Sequence, residues 1–181
     1  ATVPSQHMYG LEMTVMMALQ GGCVISDSHP FYPGEVVEAL QCLPQPRLLV
    51  TTPIHLRYLL QSPLDLPGVE RVVSATAPLE RSLAIAAEAR FGGRLDEIFG
   101  FTEAGSIATR HSSVEQDWHL LDDMQLGAAH GRIEVTGPQL ARPEVLHDTI
   151  ECVDAQRFKF LGRAADMINV AGKRASLTAL T

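Results

Sequence analysis

Several features that would assign a protein to a class at once are scarce in this sequence of 181 residues. Cysteine occurs three times, without a C-x-x-C pair, which argues against a zinc site and against a disulfide framework. Acidic residues outnumber basic ones by 21 to 14, and no basic run is longer than Lys173-Arg174, so a cationic surface for nucleic acid is not expected. These features favour a protein of the reducing cytoplasm with no nucleic acid partner.

Long apolar runs are missing as well. The most apolar stretch, residues 8–25, is interrupted by Glu12, Gln20 and the glycine pair at 21–22, so the sequence predicts no membrane span and no secretory signal. Hydrophobic residues make up 46% of the chain and charged residues 19%, which is typical of a folded globular protein. Because the sequence starts at Ala1 without a methionine and both ends read like interior sequence, we expect it to be part of a longer protein.

Helical and strand-like patterns alternate from Gly10 to Gly105. They predict helices at 11–19, 33–40, 53–61 and 80–91, and strands at 23–26, 47–52, 69–75 and 94–99. Such alternation is typical of a parallel sheet with crossover helices.

After Gly105 the strand-like runs are shorter, at 106–110, 118–121, 132–136, 147–153 and 158–161, with polar or Gly/Pro turns between them. These runs predict a small antiparallel β sheet or barrel. The predicted fold class is therefore α/β, a parallel sheet with crossover helices followed by this small sheet. We expect an α/β subdomain at 1–108, a small β subdomain at 109–162, and at 163–181 a hinge region with the start of a further domain.

The most informative segment is Gly100-Phe101-Thr102-Glu103-Ala104-Gly105, which follows the predicted strand at 94–99. Glycine permits a ligand to approach the backbone closely, a threonine hydroxyl can donate to a phosphate oxygen, and a glutamate can hold Mg²⁺, which neutralises phosphate charge. A glycine and a threonine at the end of a strand also begin many helices, so this segment alone leaves a capping role open.

A second loop of unusual composition follows the predicted strand at 69–75. It reads Ser74-Ala75-Thr76-Ala77-Pro78-Leu79, small residues with a rigid turn ahead of a helix. Because the carboxyl ends of parallel strands gather at one edge of a sheet, where ligands bind, we expect the two loops to be neighbours.

Eight segments, taken in order, resemble the adenylate-forming superfamily of acyl-CoA synthetases, aryl-acid ligases and peptide-synthetase adenylation domains. The matching segments are HMYG at 7–10, GGCV at 21–24, TP at 52–53, SATAPL at 74–79, FGFTE at 99–103, GRIEVTGP at 131–138, HD at 147–148 and GRAADMINVAGKR at 162–174. A single match would carry little weight, but their common order and close spacing make coincidence improbable. The resemblance covers nearly the whole chain.

The resemblance implies a site for ATP and Mg²⁺. Thr102 would bind the α-phosphate and Glu103 the Mg²⁺, as the two catalytic residues. The adenine and ribose would contact residues that the resemblance places around them, namely Ala75, Thr76, Ala77, Pro78, Phe99, Gly100, Asp148 and Arg163. Phe99 would stack on the adenine, and Asp148 would accept both ribose hydroxyls. The substrate pocket would involve His7, Ala75 and Phe101.

In this family a carboxylic acid attacks the α-phosphate of ATP, pyrophosphate leaves, and a thiol of CoA or of a phosphopantetheinyl carrier protein captures the acyl-adenylate. The resemblance therefore implies part of an ATP-dependent acid:thiol ligase for an acyl or aryl acid. Two parts of the family pattern do not occur in these 181 residues: the Ser/Thr/Gly-rich phosphate loop before His7 and the lysine-bearing domain after Thr181. We therefore expect this chain alone to be inactive.

The sequence also departs from the family at two single positions. Ala165 stands where the family has its hinge aspartate, and His147 where it has glycine. These departures keep a second hypothesis open, a non-catalytic nucleotide-binding or interaction module of the same fold. A plain dinucleotide-binding domain is less favoured, because no G-x-G-x-x-G follows a predicted strand.

Overall fold

A computed structural model of the chain describes residues 1–129, 131–163, 167–170 and 173–176. Contacts divide the chain into two compact units, Ala1–Glu115 and Gln116–Thr181, called here the first and the second unit. The subdomain boundaries predicted at 108 and 162 stay predictions.

The first unit is a mixed sheet with helices. Its helices are α1 (Met8–Gly10), which continues through a π-helical segment (Leu11–Met16) into α2 (Met17–Gly21), then α3 (Pro33–Gln41), α4 (Pro53–Gln61) and α5 (Arg81–Phe91). Its strands are β1 (Leu48–Thr51), β2 (Arg71–Ser74), β3 (Arg94–Phe101) and β4 (Gly105–Arg110). Strands β1, β2 and β3 run parallel in that order, whereas β4 pairs antiparallel with β3. The predicted parallel sheet with crossover helices is confirmed.

Local sequence signals explain where two of these helices begin. Pro33 and Pro53 each occupy the first helical position, where the missing N–H is not needed. Thr52 caps α4, because its Oγ1 accepts from the backbone N–H of His55 at 3.4 Å. At α3 the Glu35 carboxylate accepts from the backbone N–H of Phe31 at 2.8 Å. Both helix starts were predicted from the sequence.

The core of the first unit lies between the sheet and helices α3, α4 and α5. It is built from aliphatic side chains and Phe91, and Leu56, Val72, Ala84 and Leu95 are wholly inaccessible to solvent. Burial of such side chains stabilises a fold by roughly 1.5–3 kcal/mol each for the larger ones. This core holds the strands whose ends carry the two predicted loops.

The second unit consists of short strands. They are β5 (Trp118–Leu120), β6 (Gln125–Ala129), β7 (Arg132–Thr136), β8 (Glu144–Leu146), β9 (Asp148–Cys152), β10 (Arg157–Arg163), β11 (Met167–Val170) and β12 (Lys173–Ser176). β6, β7 and β8 form a three-stranded antiparallel sheet, β10 pairs antiparallel with both β5 and β9, and β11 pairs with β12. The predicted small antiparallel sheet is confirmed, so the α/β fold class holds.

Two strand predictions need correction. Residues 23–26 form no strand, and Val24 is 92% exposed, because an apolar run becomes a strand only where a neighbouring strand completes its hydrogen bonds. Residues 106–110 do form a strand, but it is β4, which extends the first unit's sheet instead of opening the small β sheet. Strands β6 and β8 were not predicted, since their sequences lack a run of β-branched or aromatic residues.

Candidate functional site

The two predicted loops follow the neighbouring strands β2 and β3, at the same edge of the sheet. Ser74, the last residue of β2, is the register partner of Glu97 in β3. Beyond Ser74 the chain turns sharply: Ala75 is buried, whereas Thr76 is exposed and has a φ of 81°. Non-glycine residues adopt such a φ rarely, and they do so most often where a turn or a functional site requires it. Ala77 and Pro78 are also exposed.

The Thr102-Glu103 segment is the turn of a β-hairpin. Strand β3 continues past Phe99 to Phe101, the chain reverses through Thr102, Glu103 and Ala104, and β4 begins at Gly105. The backbone N–H of Ala104 donates to the carbonyl of Phe101 at 3.1 Å. Thr102 and Glu103 are both exposed. The segment therefore does not start a helix, which removes the capping role that the sequence left open.

Two glycines make this hairpin possible. The β3–β4 register shifts between Phe99 and Gly100, and a Cβ on Gly100 would overlap the backbone carbonyl of Gly105. Gly105 itself has a φ of 73°, in the left-handed region that favours glycine. Phe99 and Phe101 are half-buried on the same strand.

The buried carboxylate of Glu97 connects the loop after β2 to the hairpin. One oxygen accepts from the backbone N–H of Leu79 at 3.3 Å, and the other accepts from Arg110 and from the Ser112 hydroxyl at 2.7 Å. Burial raises the pKa of the Glu97 carboxyl, while the charge of Arg110 and these hydrogen bonds oppose that rise. Glu97 was not predicted as a site residue, because a glutamate inside an apolar strand run carries no motif of its own.

Tyr9 ties the first helical run to the ends of β1 and β2. Its hydroxyl lies 3.1 Å from the carbonyl oxygen of Thr51 and 2.8 Å from that of Val73. Burial raises the pKa of this hydroxyl far above its ordinary range, so it remains a hydrogen-bond donor. Tyr9 also packs in one apolar cluster with Ala75. His7, at the N-cap of α1, is exposed, and its side chain makes no capping hydrogen bond.

Glu12 is a second carboxylate that the sequence did not single out. It lies in the π-helical segment, and its Oε2 accepts from both the backbone N–H of Ser106 at 3.1 Å and the Ser106 hydroxyl at 2.5 Å. Ser106 is the second residue of β4, directly after the hairpin turn. Only the folded structure reveals this contact, since 94 positions separate the two residues.

In the second unit, Asp148 and Arg163 are partners on neighbouring strands. Asp148 opens β9 and is half-buried, and the register pairs it with Arg163 at the end of β10. The side chain of Arg163 and the positions Ala165 and Asp166 lie outside the described residues. The structure thus places residues 75–78 and 99–103 at or after the ends of the neighbouring strands β2 and β3, and it pairs the backbones of Asp148 and Arg163.

One side-chain cluster outside this edge has the composition of a catalytic triad without its geometry. The Nε2 atom of His111 lies 2.7 Å from Oε1 of Glu88 and 3.0 Å from Oγ of Ser113. A triad uses one ring nitrogen for the nucleophile and the other for the carboxylate, whereas here both partners share Nε2. The cluster is therefore a structural hydrogen-bond network and not an activated serine.

A metal site built from the chain's own side chains is not found in the described part of the molecule, where no three His, Cys, Asp or Glu residues gather to hold an ion. Within the same residues, none of the helices has both the length and the apolar character to cross a membrane. All three cysteines are free and exposed.

The family model for AMP-binding enzymes matches residues 1–142, and the chain therefore belongs to the AMP-binding enzyme family. It is 30% identical over 178 residues to a 4-coumarate–CoA ligase of Halorhodospira halophila, an alignment that covers 97% of this chain and 44% of that protein. It is 31% identical over 113 residues to 4-coumarate–CoA ligase 1 of Solanum tuberosum, covering 58% of this chain and 20% of that protein. The chain thus spans less than half the length of these relatives.

Solved structures of the adenylate-forming family share the fold. ATP-bound MatB from Rhodopseudomonas palustris superposes with a TM-score of 0.80 at 17% identity, covering 98% of this chain and 42% of that one. Wild-type MenE of E. coli, bound to an OSB-AMS analogue, gives a TM-score of 0.74 at 16% identity and covers 96% of this chain and 41% of that one.

Proposed function

We propose that the protein carrying this sequence is an AMP-forming acid:thiol ligase, which activates a carboxylic acid as its adenylate and passes the acyl group to a thiol. Membership of the AMP-binding family supports the reaction class. Because the curated relatives are 4-coumarate–CoA ligases, we propose an aryl or acyl acid as substrate and CoA as the first acceptor to test, with a phosphopantetheinyl carrier protein as the alternative.

The observation that carries this proposal is the placement of the two loops at one sheet edge, after paired strands. Residues 75–79 and the Thr102-Glu103 turn follow neighbouring strands, and Glu97 of β3 accepts the N–H of Leu79 in the first of these loops. Ligands of open α/β sheets bind at the carboxyl ends of the strands. The Ser74 hydroxyl at the end of β2 is buried and has no hydrogen-bond partner among the described residues, which is unusual for a buried polar group.

The proposed residue roles follow from the resemblance to the adenylate-forming superfamily. Ala75, Thr76, Ala77, Pro78, Phe99 and Gly100 would surround the adenine, and Thr102 would donate to an α-phosphate oxygen. In the second unit Asp148 and Arg163 would contact the ribose. His7, Ala75 and Phe101 would contribute to the acid pocket. In such a reaction, positioning of the carboxylate for in-line attack on phosphorus and stabilisation of phosphate charge supply most of the rate.

The exposed carboxylate of Glu103 fits a role in binding Mg²⁺. Mg²⁺ is usually held by one or two carboxylates together with substrate phosphates and water, so a protein cluster of three ligands is not required. When bound, Mg²⁺ neutralises the charge of the phosphates. Glu103 would hold this ion beside Thr102, its neighbour in the hairpin turn. The three free cysteines support a location in a reducing compartment, and we propose the cytoplasm.

Isotope exchange between pyrophosphate and ATP tests the proposal in the full-length protein. We expect exchange that depends on a carboxylic acid, in a panel that contains 4-coumarate, other aryl acids and fatty acids. Glu103→Gln should lower the rate more than about tenfold, since a neutral amide binds Mg²⁺ poorly. Glu38→Gln, a change of an exposed glutamate on α3, is the matched control and should leave the rate unchanged.

Absence of exchange with every acid would contradict the ligase. Binding of ATP without exchange would then favour the second hypothesis, a non-catalytic nucleotide-binding module. Exchange that Glu103→Gln leaves intact would keep the ligase but remove Glu103 from the site.

A further inference from the structure

The carboxylate of Glu12 joins the first helical run to the strand that follows the Thr102-Glu103 turn. Oε2 accepts the Ser106 N–H at 3.1 Å and the Ser106 Oγ at 2.5 Å, and Oε1 lies 3.4 Å from the same nitrogen. Hydrogen bonds to an ionised acceptor are about twice as strong as neutral ones. Two donors of one residue that meet one carboxylate fix both the position and the orientation of that residue.

The Glu12 carboxylate lies where a side chain at the neighbouring position 105 would stand. A Cβ on Gly105 would overlap Oε1 of Glu12, and Gly105 has a φ of 73°. Glycine at this position therefore permits the carboxylate to approach the backbone where the turn ends. Gly105 is in turn the register partner of Phe101, the residue before Thr102.

The helix that carries Glu12 departs from ordinary geometry at this point. Glu12 is the second residue of the π-helical segment Leu11–Met16, and Thr14 Oγ1 donates to the carbonyl of Gly10 at 2.6 Å in the same turn. π-helical turns are rare and occur frequently at functional sites.

We propose that Glu12 is a positioning residue for the Thr102-Glu103 turn. By holding Gly105 and Ser106, Glu12 fixes the residues that close the hairpin opposite Phe101, and thereby the place of the Glu103 carboxylate and the Thr102 hydroxyl. Glu12 acts through Ser106 and contacts neither ATP nor Mg²⁺ itself. This inference rests on the proposed function, because the turn matters for activity only if it binds phosphate and Mg²⁺.

Kinetics of the full-length protein provide the first test. Glu12→Ala should lower kcat for pyrophosphate exchange about 10- to 100-fold, because a displacement of about 1 Å at the reacting groups costs up to that order. The Mg²⁺ concentration for half-maximal rate should rise several-fold, while KM for the acid changes less than about threefold. In Glu12→Gln the amide oxygen still accepts the Ser106 N–H, so kcat should remain within about fivefold of that of the unchanged protein.

Hydrogen exchange provides a second test that does not depend on activity. In Glu12→Ala the amide of Ser106 and the amides of residues 102–105 should exchange faster with solvent, whereas those of α4 and β1 should not. Glu38→Ala is the control, since Glu38 is exposed on α3 and far from the turn in sequence, and it should leave these amides unchanged.

The outcomes separate this inference from the proposed function. Suppose that the amides of residues 102–106 exchange faster in Glu12→Ala, but that the protein shows no pyrophosphate exchange. The positioning role of Glu12 would then stand, and the proposed ligase activity would be contradicted. Unchanged amide exchange in Glu12→Ala would overturn the positioning role of Glu12, even if the protein is an active ligase. A rise in KM for the acid with kcat unchanged would also overturn the positioning role, because Glu12 would then be a substrate contact.

Discussion

Glu97 and Arg110 form a buried ion pair across the β3–β4 hairpin. They are register partners, and the Nε and Nη2 atoms of Arg110 lie 2.8 and 2.7 Å from Oε2 of Glu97. Only 3% of the Glu97 side chain and 18% of the Arg110 side chain are exposed. Because Glu97 also accepts the Leu79 N–H, this pair connects the loop after β2 to the hairpin that carries Thr102 and Glu103.

Removal of the cation from this pair should destabilise the protein strongly. Arg110→Met leaves a buried carboxylate without its partner, which costs about 3–5 kcal/mol in the free energy of unfolding. The double variant Glu97→Leu/Arg110→Met should recover part of that loss, because no buried charge remains. Urea denaturation of the three proteins measures both effects.

The exposed ion pair of Arg57 and Glu80 supplies the control. These side chains are 51% and 70% exposed, so Arg57→Met should cost less than about 1 kcal/mol. If Arg57→Met and Arg110→Met lower the free energy of unfolding equally, burial does not explain the cost of breaking the Glu97–Arg110 pair.

The hydroxyl of Tyr9 should contribute measurably to stability. Tyr9→Phe removes the donor that serves the carbonyls of Thr51 and Val73, and a buried acceptor left without a donor costs about 1–3 kcal/mol. Thermal unfolding should report a decrease in Tm of roughly 2–4 °C per kcal/mol for a chain of this size. Tyr58→Phe, at a ring that is 59% exposed, should leave Tm within about 1 °C.

Acid should weaken the fold partly through Glu88. Burial acts to raise the pKa of this carboxyl, but hydrogen bonds from Ser113, Leu95 and His111 outweigh it and lower the pKa below the ordinary 4.5. The carboxylate therefore stabilises the fold above pH 4.5, and this contribution is lost as the pH falls below 4.5 through the folded-state value. Unfolding in urea at several pH values should show a shallower acid decline for Glu88→Gln than for the unchanged protein. A parallel decline would contradict the assignment, and Glu38→Gln is the control.

Gly105 should tolerate alanine less well than another glycine with the same backbone conformation. Gly105 and Gly131 have φ values of 73° and 74°, but a Cβ meets Glu12 at the first and no atom within 4 Å at the second. Both substitutions carry left-handed strain of about 1–2 kcal/mol, and Gly105→Ala should cost on the order of 1–3 kcal/mol more through overpacking. Denaturation of the two variants measures the difference. Equal costs would show that Glu12 moves aside freely.

The sequence predicted features that depend on neighbours along the chain. Pro33 and Pro53 indicate where α3 and α4 begin, because proline favours the first helical position through its own backbone geometry. The order of helices and strands then implied the parallel sheet, and the carboxyl ends of β2 and β3 implied that both loops lie at one sheet edge.

Features that depend on distant partners could not be predicted. Residues 23–26 have the composition of a strand but no strand to pair with among the described residues, and composition alone does not reveal this. Glu12 and Glu97 look like ordinary charged residues until folding places Ser106 and Arg110 beside them. The hairpin was missed for a similar reason, since the Gly100 and Gly105 backbones meet only when β4 folds back on β3.

The connection between β3 and β4, which contains the Thr102-Glu103 turn, is short. Three residues link two paired strands, and both strands are held at the sheet. A connection of this length follows the two strands that it joins. The positions of Thr102 and Glu103 are therefore set by the positions of β3 and β4, so a contact that holds β4, such as that of Glu12 with Ser106, also acts on the turn.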